Sequence, residues 1–330
     1  MTARISYGSS QFETLEGESV LDCLSRNGIA VPHSCRSGVC QSCLMQADEG
    51  AIPDAAQKDL KPTYKKQNLF LSCQCKPETD MRVSLPQADR LDTPAVIASK
   101  EMLNGSVLRL RLATATPFAC EPGQYVTLLN PDRLARSYSI ANDPAADGVI
   151  ELHIRLLKNG LMSEYLKAAP VGEALVVRGP AGNCFYVSEE GRDYPIVLAG
   201  TGTGLAPLYG IVHRALSQGH AGVVQLFHGA LQEPDLYLVD ELRALADRHA
   251  NFRFTPCVLN GAPGRHYTPG NIETAVLSGL PAQKAATRLF LCGAPEFVTA
   301  VRRKAFLAGL ASRHIFADAF LPAKPMPAAA

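Results

Sequence analysis

The period of the hydrophobic positions changes along the chain and divides it into three regions. Short strands and one helix are predicted near the N-terminus, where Ser19 and Asp22 match the capping-box pattern that begins a helix. In the middle, Leu108, Leu110 and Leu112 alternate with arginines, a period of two that predicts a strand with one buried face. From residue 195 onward, continuous apolar strands alternate with helical stretches, which predicts βα units and a parallel sheet.

These patterns predict a multidomain chain that combines the α+β and α/β classes. We expect a first domain of short strands and one helix over residues 1–89, followed by an antiparallel β-barrel over residues 95–188. A parallel-sheet, nucleotide-binding α/β domain is expected over residues 189–330. Prolines and mixed charges between the first two regions mark a linker.

Composition narrows the class of protein. The chain has 330 residues, of which 47% are hydrophobic and 19% charged, as in globular domains with sizeable cores. A formal net charge of +1 argues against nucleic acid or a membrane surface as a general partner. No apolar run approaches the length of a membrane span, and the first residues lack the apolar segment of a signal peptide. With ten cysteines in such a chain, we expect reduced thiols and metal ligands, and therefore a cytoplasmic protein.

Cysteines are concentrated in the first region. Cys35, Cys40 and Cys43 fall in one short stretch, and Cys73 and Cys75 follow about thirty residues later. The spacing C-x4-C-x2-C with a distant fourth cysteine is that of plant-type [2Fe–2S] clusters. Three thiolates from one loop can wrap around a small cluster, while a fourth from another element ties that loop to the domain. The sequence therefore predicts a [2Fe–2S] cluster.

Three other interpretations compete with the cluster. A structural zinc site usually has two C-x2-C pairs, whereas this chain has one such pair and a Cys-x-Cys. A disulfide framework requires an oxidising compartment, which the N-terminal residues do not indicate. The third alternative is a chance grouping of buried thiols.

Two motifs in the middle region suit a flavin nucleotide. In the first, the Arg136 guanidinium could pair with a phosphate, the Tyr138 ring could lie against an isoalloxazine, and the Ser139 hydroxyl could approach its reactive edge. In the second, Gly160 and Ser163 stand at the start of a short predicted helix, where a phosphate could bind. We therefore predict a flavin site in the barrel.

The third region carries a glycine-rich turn between a buried strand and a helix. Glycines allow close backbone approach and a helix N-terminus attracts charge, so this turn is suited to the pyrophosphate of a dinucleotide. Its candidate binding residues are Gly200, Thr201, Gly202, Thr203 and Gly204. A second turn, at Cys292 and Gly293, follows a later strand at its carboxyl end, where open α/β sheets bind ligands.

Together these motifs carry a family resemblance. Residues 136–139, 160–163, 200–207 and 292–295 occur in the order found in the ferredoxin–NADP reductase superfamily. Because a plant-type ferredoxin motif precedes them, the chain resembles the reductase components of multicomponent bacterial oxygenases, such as naphthalene and benzoate dioxygenase reductases and phenol hydroxylase reductase. The resemblance covers residues 1 to about 321 and implies a β-grasp ferredoxin domain ahead of the flavin barrel and the nucleotide domain.

The resemblance also assigns roles. It implies that Cys73 rather than Cys75 is the fourth cluster ligand, that Ser139 lies near flavin N5, and that Cys292 lies near the nicotinamide C4. It implies that Phe320 covers the flavin, although ten residues follow Phe320 where plant-type reductases end on that aromatic residue. The implied activity is an NAD(P)H:acceptor oxidoreductase in which a flavin accepts a hydride and a cluster passes single electrons onward.

The expected cofactors are a [2Fe–2S] cluster, FAD and NADH. FAD is favoured over FMN because FMN-using relatives place the ferredoxin domain last, and because Gly160 and Ser163 offer a second phosphate site. NADH is favoured over NADPH because His228 is the only cationic candidate between residues 227 and 238, where Glu233 and Asp235 would repel a 2′-phosphate.

The expected partner is a terminal oxygenase component or an intermediary ferredoxin, with no nucleic acid and no membrane. The expected pathway is the catabolism of aromatic or related compounds. Two alternatives stay open. The chain could serve a sugar-deoxygenation enzyme, because glucoseen reductases share its domain order. It could also be a zinc-stabilised module fused to a simple flavin reductase.

Overall fold

The N-terminal sheet is mixed and carries the cysteine motif beside it. We analysed a computed structural model that describes residues 2–86, 91–187 and 193–323. Strands in the order β2-β1-β5-β3-β4 form the first sheet, with β1 and β5 parallel and the other pairs antiparallel. The strands are β1 (Arg4–Tyr7), β2 (Ser10–Glu13), β3 (Leu44–Glu49), β4 (Leu69–Leu71) and β5 (Met81–Ser84), and the helices are α1 (Val20–Arg26) and α2 (Pro62–Lys66).

Helix α1 begins where the sequence predicts. Ser19 is its N-cap, and the Ser19 hydroxyl accepts a hydrogen bond from the Asp22 backbone N–H at 3.1 Å. Its buried face, Val20, Leu21 and Leu24, packs in one cluster with the sheet residues Ile5 and Phe70. A helix packed across a mixed sheet in this way is the β-grasp arrangement that the resemblance implies.

The second sheet closes into a barrel. Its order is β10-β7-β6-β11-β8-β9, and every pair is antiparallel. An isolated bridge between Ile140, which directly follows β9, and Leu152 of β10 joins the two outermost strands. The strands are β6 (Asp92–Met102), β7 (Val107–Thr114), β8 (Tyr125–Leu129), β9 (Ala135–Ser139), β10 (Ile150–Arg155) and β11 (Ala174–Ala181), and the helices are α3 (Pro144–Asp147) and α4 (Leu161–Ala168).

The third sheet is parallel throughout, in the order β15-β14-β13-β12-β16-β17. Continuous apolar strands bury both faces, as expected where helices cover a parallel sheet. The strands are β12 (Ile196–Thr201), β13 (Val224–Ala230), β14 (Phe252–Val258), β15 (Thr268–Pro269), β16 (Arg288–Gly293) and β17 (Ile315–Ala319). The helices are α5 (Leu205–Ser217), α6 (Val239–Arg248), α7 (Ile272–Ser278) and α8 (Pro295–Leu307).

The fold class thus agrees with the sequence: a β-grasp domain, an antiparallel barrel and a parallel α/β domain. The predicted boundaries at residues 89, 188 and 189 lie outside the described residues. Within residues 2–86, 91–187 and 193–323, no helix combines the length and apolar character needed to cross a bilayer.

Candidate functional site

The four predicted cluster ligands stand as two pairs of thiols. Cys35 and Cys40 form the first pair. The Cys35 backbone N–H donates to Cys40 Sγ at 3.4 Å, and the Cys40 backbone N–H donates to Cys35 Sγ at 3.3 Å. Cys43 and Cys73 form the second pair, their thiols within hydrogen-bonding reach of each other. A [2Fe–2S] cluster with four cysteine ligands has two irons and so needs two thiolates at each. The paired arrangement therefore fits a dinuclear cluster better than the single ion of a zinc site.

Hydrogen-bond donors surround these sulfurs. The Ser37 backbone N–H also donates to Cys35 Sγ at 3.4 Å, and the Gln74 side chain donates to Cys73 Sγ at 3.4 Å. Gly38 brings the loop past Gln74 in the left-handed region, with φ of +81°, and a Cβ there would lie 3.0 Å from Gln74. Donors directed at sulfur favour the thiolate form that binds iron. The loop thus fits a cluster in shape, and donors reach the sulfurs of Cys35, Cys40 and Cys73.

Cys75 lies apart from these pairs. Its thiol is fully buried in the core of the β-grasp domain and contacts Met81 Sδ at 3.8 Å. Only Cys73 of the two candidates stands beside another cysteine of the motif. Of the two candidates, Cys73 is therefore the one placed beside the other three cysteines, and its role as fourth ligand stays a prediction.

Barrel side chains hold the cysteine loop by its backbone carbonyls. The Tyr125 hydroxyl donates to the Val39 carbonyl at 2.7 Å, and Thr127 donates to the Cys40 carbonyl at 3.5 Å, both from β8. Arg178 of β11 donates to the Ser42 carbonyl at 3.3 Å. No periodicity in the sequence indicated these contacts, because they join residues more than eighty positions apart.

Strand β9 places the predicted flavin residues along one wall of a cavity. Arg136, Tyr138 and Ser139 all line it, with Ser139 buried and the other two half-buried. The Arg136 guanidinium donates to the Ala135 carbonyl at 2.7 Å through one nitrogen. The guanidinium therefore lies at the cavity wall, where its other nitrogens could donate to a phosphate.

The N-terminus of α4 faces the same cavity. Gly160 is the N-cap and makes no side-chain cap bond, and the Ser163 hydroxyl is used instead to accept the Leu157 backbone N–H at 2.9 Å. A Cβ on Gly160 would lie 3.0 Å from Ser163 Oγ and 3.2 Å from the Leu157 carbonyl oxygen, so only glycine fits this turn without adjustment. The first turn of the helix, with its unpaired backbone N–H groups, thus lies at the cavity wall.

The glycine-rich turn packs directly against the turn after β16. A Cβ on Gly204 would lie 2.3 Å from the Cys292 carbonyl oxygen, and a Cβ on Gly200 would lie 2.7 Å from the Gly204 carbonyl oxygen. Ala294 N–H donates to the Thr201 hydroxyl at 3.0 Å. Gly202, with φ of +54°, has open space where a Cβ would point. Thr201, Gly202, Thr203 and Gly293 all line the cavity, as expected for a pyrophosphate cradle.

Cys292 itself is fully buried. Its sulfur lies 3.6 Å from the sulfur of Cys184, which the sequence did not single out. Burial raises the pKa of the Cys292 thiol, so it is neutral and unsuited to act as a nucleophile. Phe320 lines the cavity, half-buried, and its backbone N–H donates to the Gly293 carbonyl at 2.8 Å.

Asp318 is a candidate site residue that sequence reasoning missed. It lies on β17 opposite Cys292, lines the cavity, and accepts a hydrogen bond from the Ser139 hydroxyl at 3.4 Å. Burial raises the pKa of its carboxyl to about 6, above the usual range of an aspartate. The signal available in the sequence was its position two residues before Phe320, which places both side chains on one face of the strand.

All of these elements meet at one cavity of about 1140 Å³. Its wall includes Cys35, Val39 and Cys40 of the cysteine loop as well as the flavin strand and the glycine-rich turn. Single ligand pockets usually occupy about 300–1,000 Å³. The cavity is therefore large enough for parts of two nucleotides, with the cysteine loop at its edge.

Family models match three successive cofactor-binding domains along the chain. Residues 6–78 match the 2Fe-2S iron-sulfur cluster binding domain, residues 94–186 the oxidoreductase FAD-binding domain, and residues 198–303 the oxidoreductase NAD-binding domain. The cofactors are thus a [2Fe–2S] cluster, FAD and a nicotinamide nucleotide.

Known proteins are similar to the chain over nearly its whole length. The reductase subunit of an aromatic O-demethylase from Amycolatopsis sp. is 32% identical, with 98% of this chain and 100% of that protein covered. The ferredoxin–NAD(P)+ reductase component of the naphthalene 1,2-dioxygenase system of Pseudomonas putida is 31% identical over 93% of this chain and 94% of that protein. A crystal structure of an Amycolatopsis cytochrome P450 reductase superposes with a TM-score of 0.69 at 30% identity, covering 97% of this chain and 99% of that one.

Proposed function

The chain belongs to the family of iron–sulfur flavoprotein reductase components of oxygenase systems, and we propose that it passes electrons from NADH to an oxygenase acting on aromatic or related compounds. The observation that carries this proposal is the single cavity shared by the cysteine loop, the flavin strand and the glycine-rich turn. When bound, the flavin accepts a hydride from the nicotinamide and releases electrons singly to the cluster. The residues around the cavity bind, orient and shield these groups.

Each predicted site residue has a proposed role. Cys35, Cys40, Cys43 and Cys73 bind the cluster as two pairs. Arg136 and the N-terminus of α4, capped by Gly160 with Ser163 in its first turn, bind the FAD phosphates, while Tyr138 and Phe320 contain the flavin ring. Thr201, Gly202, Thr203 and Gly293 bind the nicotinamide nucleotide, while Gly200 and Gly204 let this turn pack closely on the protein. The bulk of buried Cys292 sets the position of the turn that follows it.

Ser139 and Asp318 form a hydrogen-bonded pair in the wall of the cavity. Ser139 donates to Asp318, so the carboxyl fixes the direction of the hydroxyl. An ionised Asp318 is the stronger acceptor for this bond. We therefore assign Ser139 to flavin positioning and Asp318 to holding Ser139.

The preference for NADH rests on the turn after β13. Glu233 stands there, and its carboxylate pairs with Arg265 at 3.4 Å, so the distant cation that could have bound a 2′-phosphate is already neutralised. Burial lowers the pKa of His228 to about 4, so this imidazole is uncharged near pH 7. A 2′-phosphate would therefore meet carboxylates without a free positive charge from these residues, whereas a ribose hydroxyl could donate to them.

Steady-state kinetics with both nucleotides test the donor. With ferricyanide as acceptor, we expect kcat/KM for NADH to exceed that for NADPH by about ten- to a hundredfold, because one charge-assisted contact is missing for the phosphate. Equal efficiency, or a preference for NADPH, would refute the choice of NADH while leaving the family assignment intact.

The partner is tested by reconstitution. The purified holoprotein, NADH and one candidate terminal component are combined, and product formation is measured for an aromatic-ring dioxygenase, an aromatic O-demethylase and a sugar dehydrase. We expect turnover with an oxygenase component. Turnover with the sugar enzyme alone would replace the proposed partner by the alternative.

A further inference from the structure

Three buried side chains meet behind the glycine-rich turn, at the junction of the barrel and the nucleotide domain. They are His153 on β10, His228 on β13 and Tyr237 just before α6, with 3%, 0% and 2% of their surface exposed. Each has a buried polar atom without a hydrogen-bond partner among the described residues: Nδ1 of both histidines and the hydroxyl of Tyr237. We call these three residues the junction triad.

The triad is contiguous. The Tyr237 ring stands edge-on to both imidazoles, with ring centroids 5.5 Å from His153 and 5.3 Å from His228. Buried polar atoms in native proteins almost always have partners, supplied by the protein or by ordered water. Both imidazoles pack against the Tyr237 ring, and His153 also lines the main cavity. The three unpartnered atoms can therefore share one ligand at the inner wall of that cavity.

The hydrogen bond made by Nε2 of each imidazole determines its tautomer. His228 Nε2 lies 3.1 Å from the Gly202 carbonyl oxygen, which can only accept, so Nε2 carries the hydrogen and Nδ1 is an acceptor. His153 Nε2 lies 2.9 Å from Glu151 Oε1. Two arginines, Arg109 and Arg111, also pair with the Glu151 carboxylate, at 3.3 and 2.7 Å, and so keep it ionised.

His153 therefore has the same tautomer as His228, with a hydrogen on Nε2 and a bare Nδ1. Burial lowers the pKa of both imidazoles, so neither gains a second proton near pH 7. The triad offers two nitrogen acceptors and one phenolic O–H donor to whatever lies between them.

We propose that the junction triad is the binding site of one buried water molecule, which donates to Nδ1 of His153 and of His228 and accepts the Tyr237 O–H. Water satisfies all three groups, since it has two hydrogens to give and lone pairs to accept. An ammonium ion would leave the Tyr237 hydrogen without an acceptor. A chloride ion would leave both imidazole nitrogens without a donor.

The water joins the two domains to the glycine-rich turn. The chain of hydrogen bonds runs from His153 on the barrel through the water to His228, and from His228 Nε2 to the Gly202 carbonyl. Holding this carbonyl in place leaves the neighbouring N–H groups of the turn free for the pyrophosphate. This consequence rests on the proposed function, because it requires the turn to bind the nicotinamide nucleotide.

A crystal structure of the holoprotein at a resolution that shows ordered water tests the site directly. We expect a single density peak within hydrogen-bonding distance of all three atoms, and its loss in Tyr237→Phe. The nitrogen-15 spectrum of the histidines should show both imidazoles with hydrogen on Nε2 and an acceptor at Nδ1. No peak, an Nδ1–H tautomer, or an anomalous peak from a metal ion would overturn the proposal.

Kinetics test the consequence. Tyr237→Phe is expected to raise KM for NADH about two- to tenfold, the effect of one lost hydrogen bond, with FAD content unchanged. Tyr186→Phe is the matched control, because the buried Tyr186 hydroxyl bonds directly to His220 Nδ1 at 3.2 Å. We expect KM to stay within twofold in this control.

An equal rise of KM in both variants would show a general loss of packing in the domain, and no rise in Tyr237→Phe would refute the role of the water in nucleotide binding. The density and the tautomers do not depend on the donor, so failure of the proposed function is distinguishable.

Discussion

The cysteine loop and the flavin–nucleotide junction are built in opposite ways. Three of the four candidate cluster ligands lie within residues 35–43. The donors directed at the sulfurs of Cys35 and Cys40 come from the same loop, and Cys73 receives one from the adjacent Gln74. The junction instead draws on β9, β17 and the turns after β12 and β16, and its Ser139–Asp318 pair joins residues 179 positions apart. One site is local in sequence, and the other exists only after the domains have assembled.

This difference predicts how each site responds to single substitutions. A [2Fe–2S] cluster takes two thiolates at each iron, so loss of one ligand should remove most of the cluster. The flavin–nucleotide junction depends on several hydrogen bonds, each of which contributes a net stabilising free energy of about 0.5–1.5 kcal/mol. Single changes there should lower rates or affinities by limited factors.

Replacing the fourth cluster ligand is the largest expected effect. Cys73→Ser should leave the purified protein with less than about a tenth of the iron per chain. Cys75→Ser should retain it, because the Cys75 thiol lies in the core of the β-grasp domain against Met81. Iron analysis and the visible spectrum measure the outcome. Iron loss in Cys75→Ser with retention in Cys73→Ser would reverse the assignment and break the comparison.

The same contrast explains what the sequence could predict. The spacing of Cys35, Cys40 and Cys43 can be read directly from the sequence, and so can the period-2 strands and the strand–turn–helix units that predicted the barrel and the parallel sheet. The Tyr125–Val39 bond and the junction triad were not predicted. Their members are ordinary strand residues until β-barrel closure and domain packing bring them together, and no local period records that event.

Asp318 shows where the limit lies. Its strand was predicted, and Phe320 on the same face was singled out, but a lone aspartate in a strand has no signal of its own. Only burial beside Ser139 raises its pKa to about 6 and so makes it a candidate for function.

Asp318→Asn is the next prediction. The rate of flavin reduction by NADH should fall about tenfold at pH 7, because Ser139 loses a charged acceptor. In the unaltered protein, protonation below pH 6 weakens the same bond, so the rate should fall as the pH is lowered through about 6. The variant should lack this titration. Stopped-flow measurements between pH 5 and 8 check both points, and a titration that survives in Asp318→Asn would exclude Asp318 as its source.

The free energy of unfolding should depend on pH in the opposite direction from the rate of flavin reduction. The carboxyl pKa is raised on folding, from 3.8 to about 6, so its favourable contribution to stability is complete at low pH and is lost as the pH rises through 6. Asp318→Asn removes the buried charge, and the thermal midpoint of the flavin-free protein at pH 7 should rise. A lower midpoint in the variant would contradict this account.

A smaller effect is expected at the nucleotide ribose. Glu233→Gln removes the charge that neutralises Arg265, so kcat/KM for NADPH should rise about three- to tenfold while that for NADH changes less than twofold. Both side chains are about half exposed, which limits the gain. Glu49→Gln, which breaks a similarly exposed pair with Arg82 at 3.4 Å on the β-grasp domain, is the control. If Glu233→Gln leaves the NADPH value unchanged, Arg265 does not reach the phosphate.

The smallest expected effect lies where the two sites meet. The Tyr125 hydroxyl holds the Val39 carbonyl at 2.7 Å and so keeps the cysteine loop against the barrel. Tyr125→Phe keeps the ring and removes one neutral hydrogen bond, worth about 0.5–1.5 kcal/mol. Because electron transfer slows as donor and acceptor separate, cluster reduction should slow about two- to fivefold after mixing with NADH.

Stopped-flow absorbance separates this step from hydride transfer, which is read at the flavin band and should change less than cluster reduction does. Thr127→Val is the graded comparison, since its bond to the Cys40 carbonyl is longer, at 3.5 Å, and its loss should matter less. If Tyr125→Phe slows both steps equally, the hydroxyl supports the flavin site and not the contact between domains. If it slows neither, the cysteine loop is held by its own fold together with Arg178, and the local site is more independent of the assembled one than the shared cavity indicates.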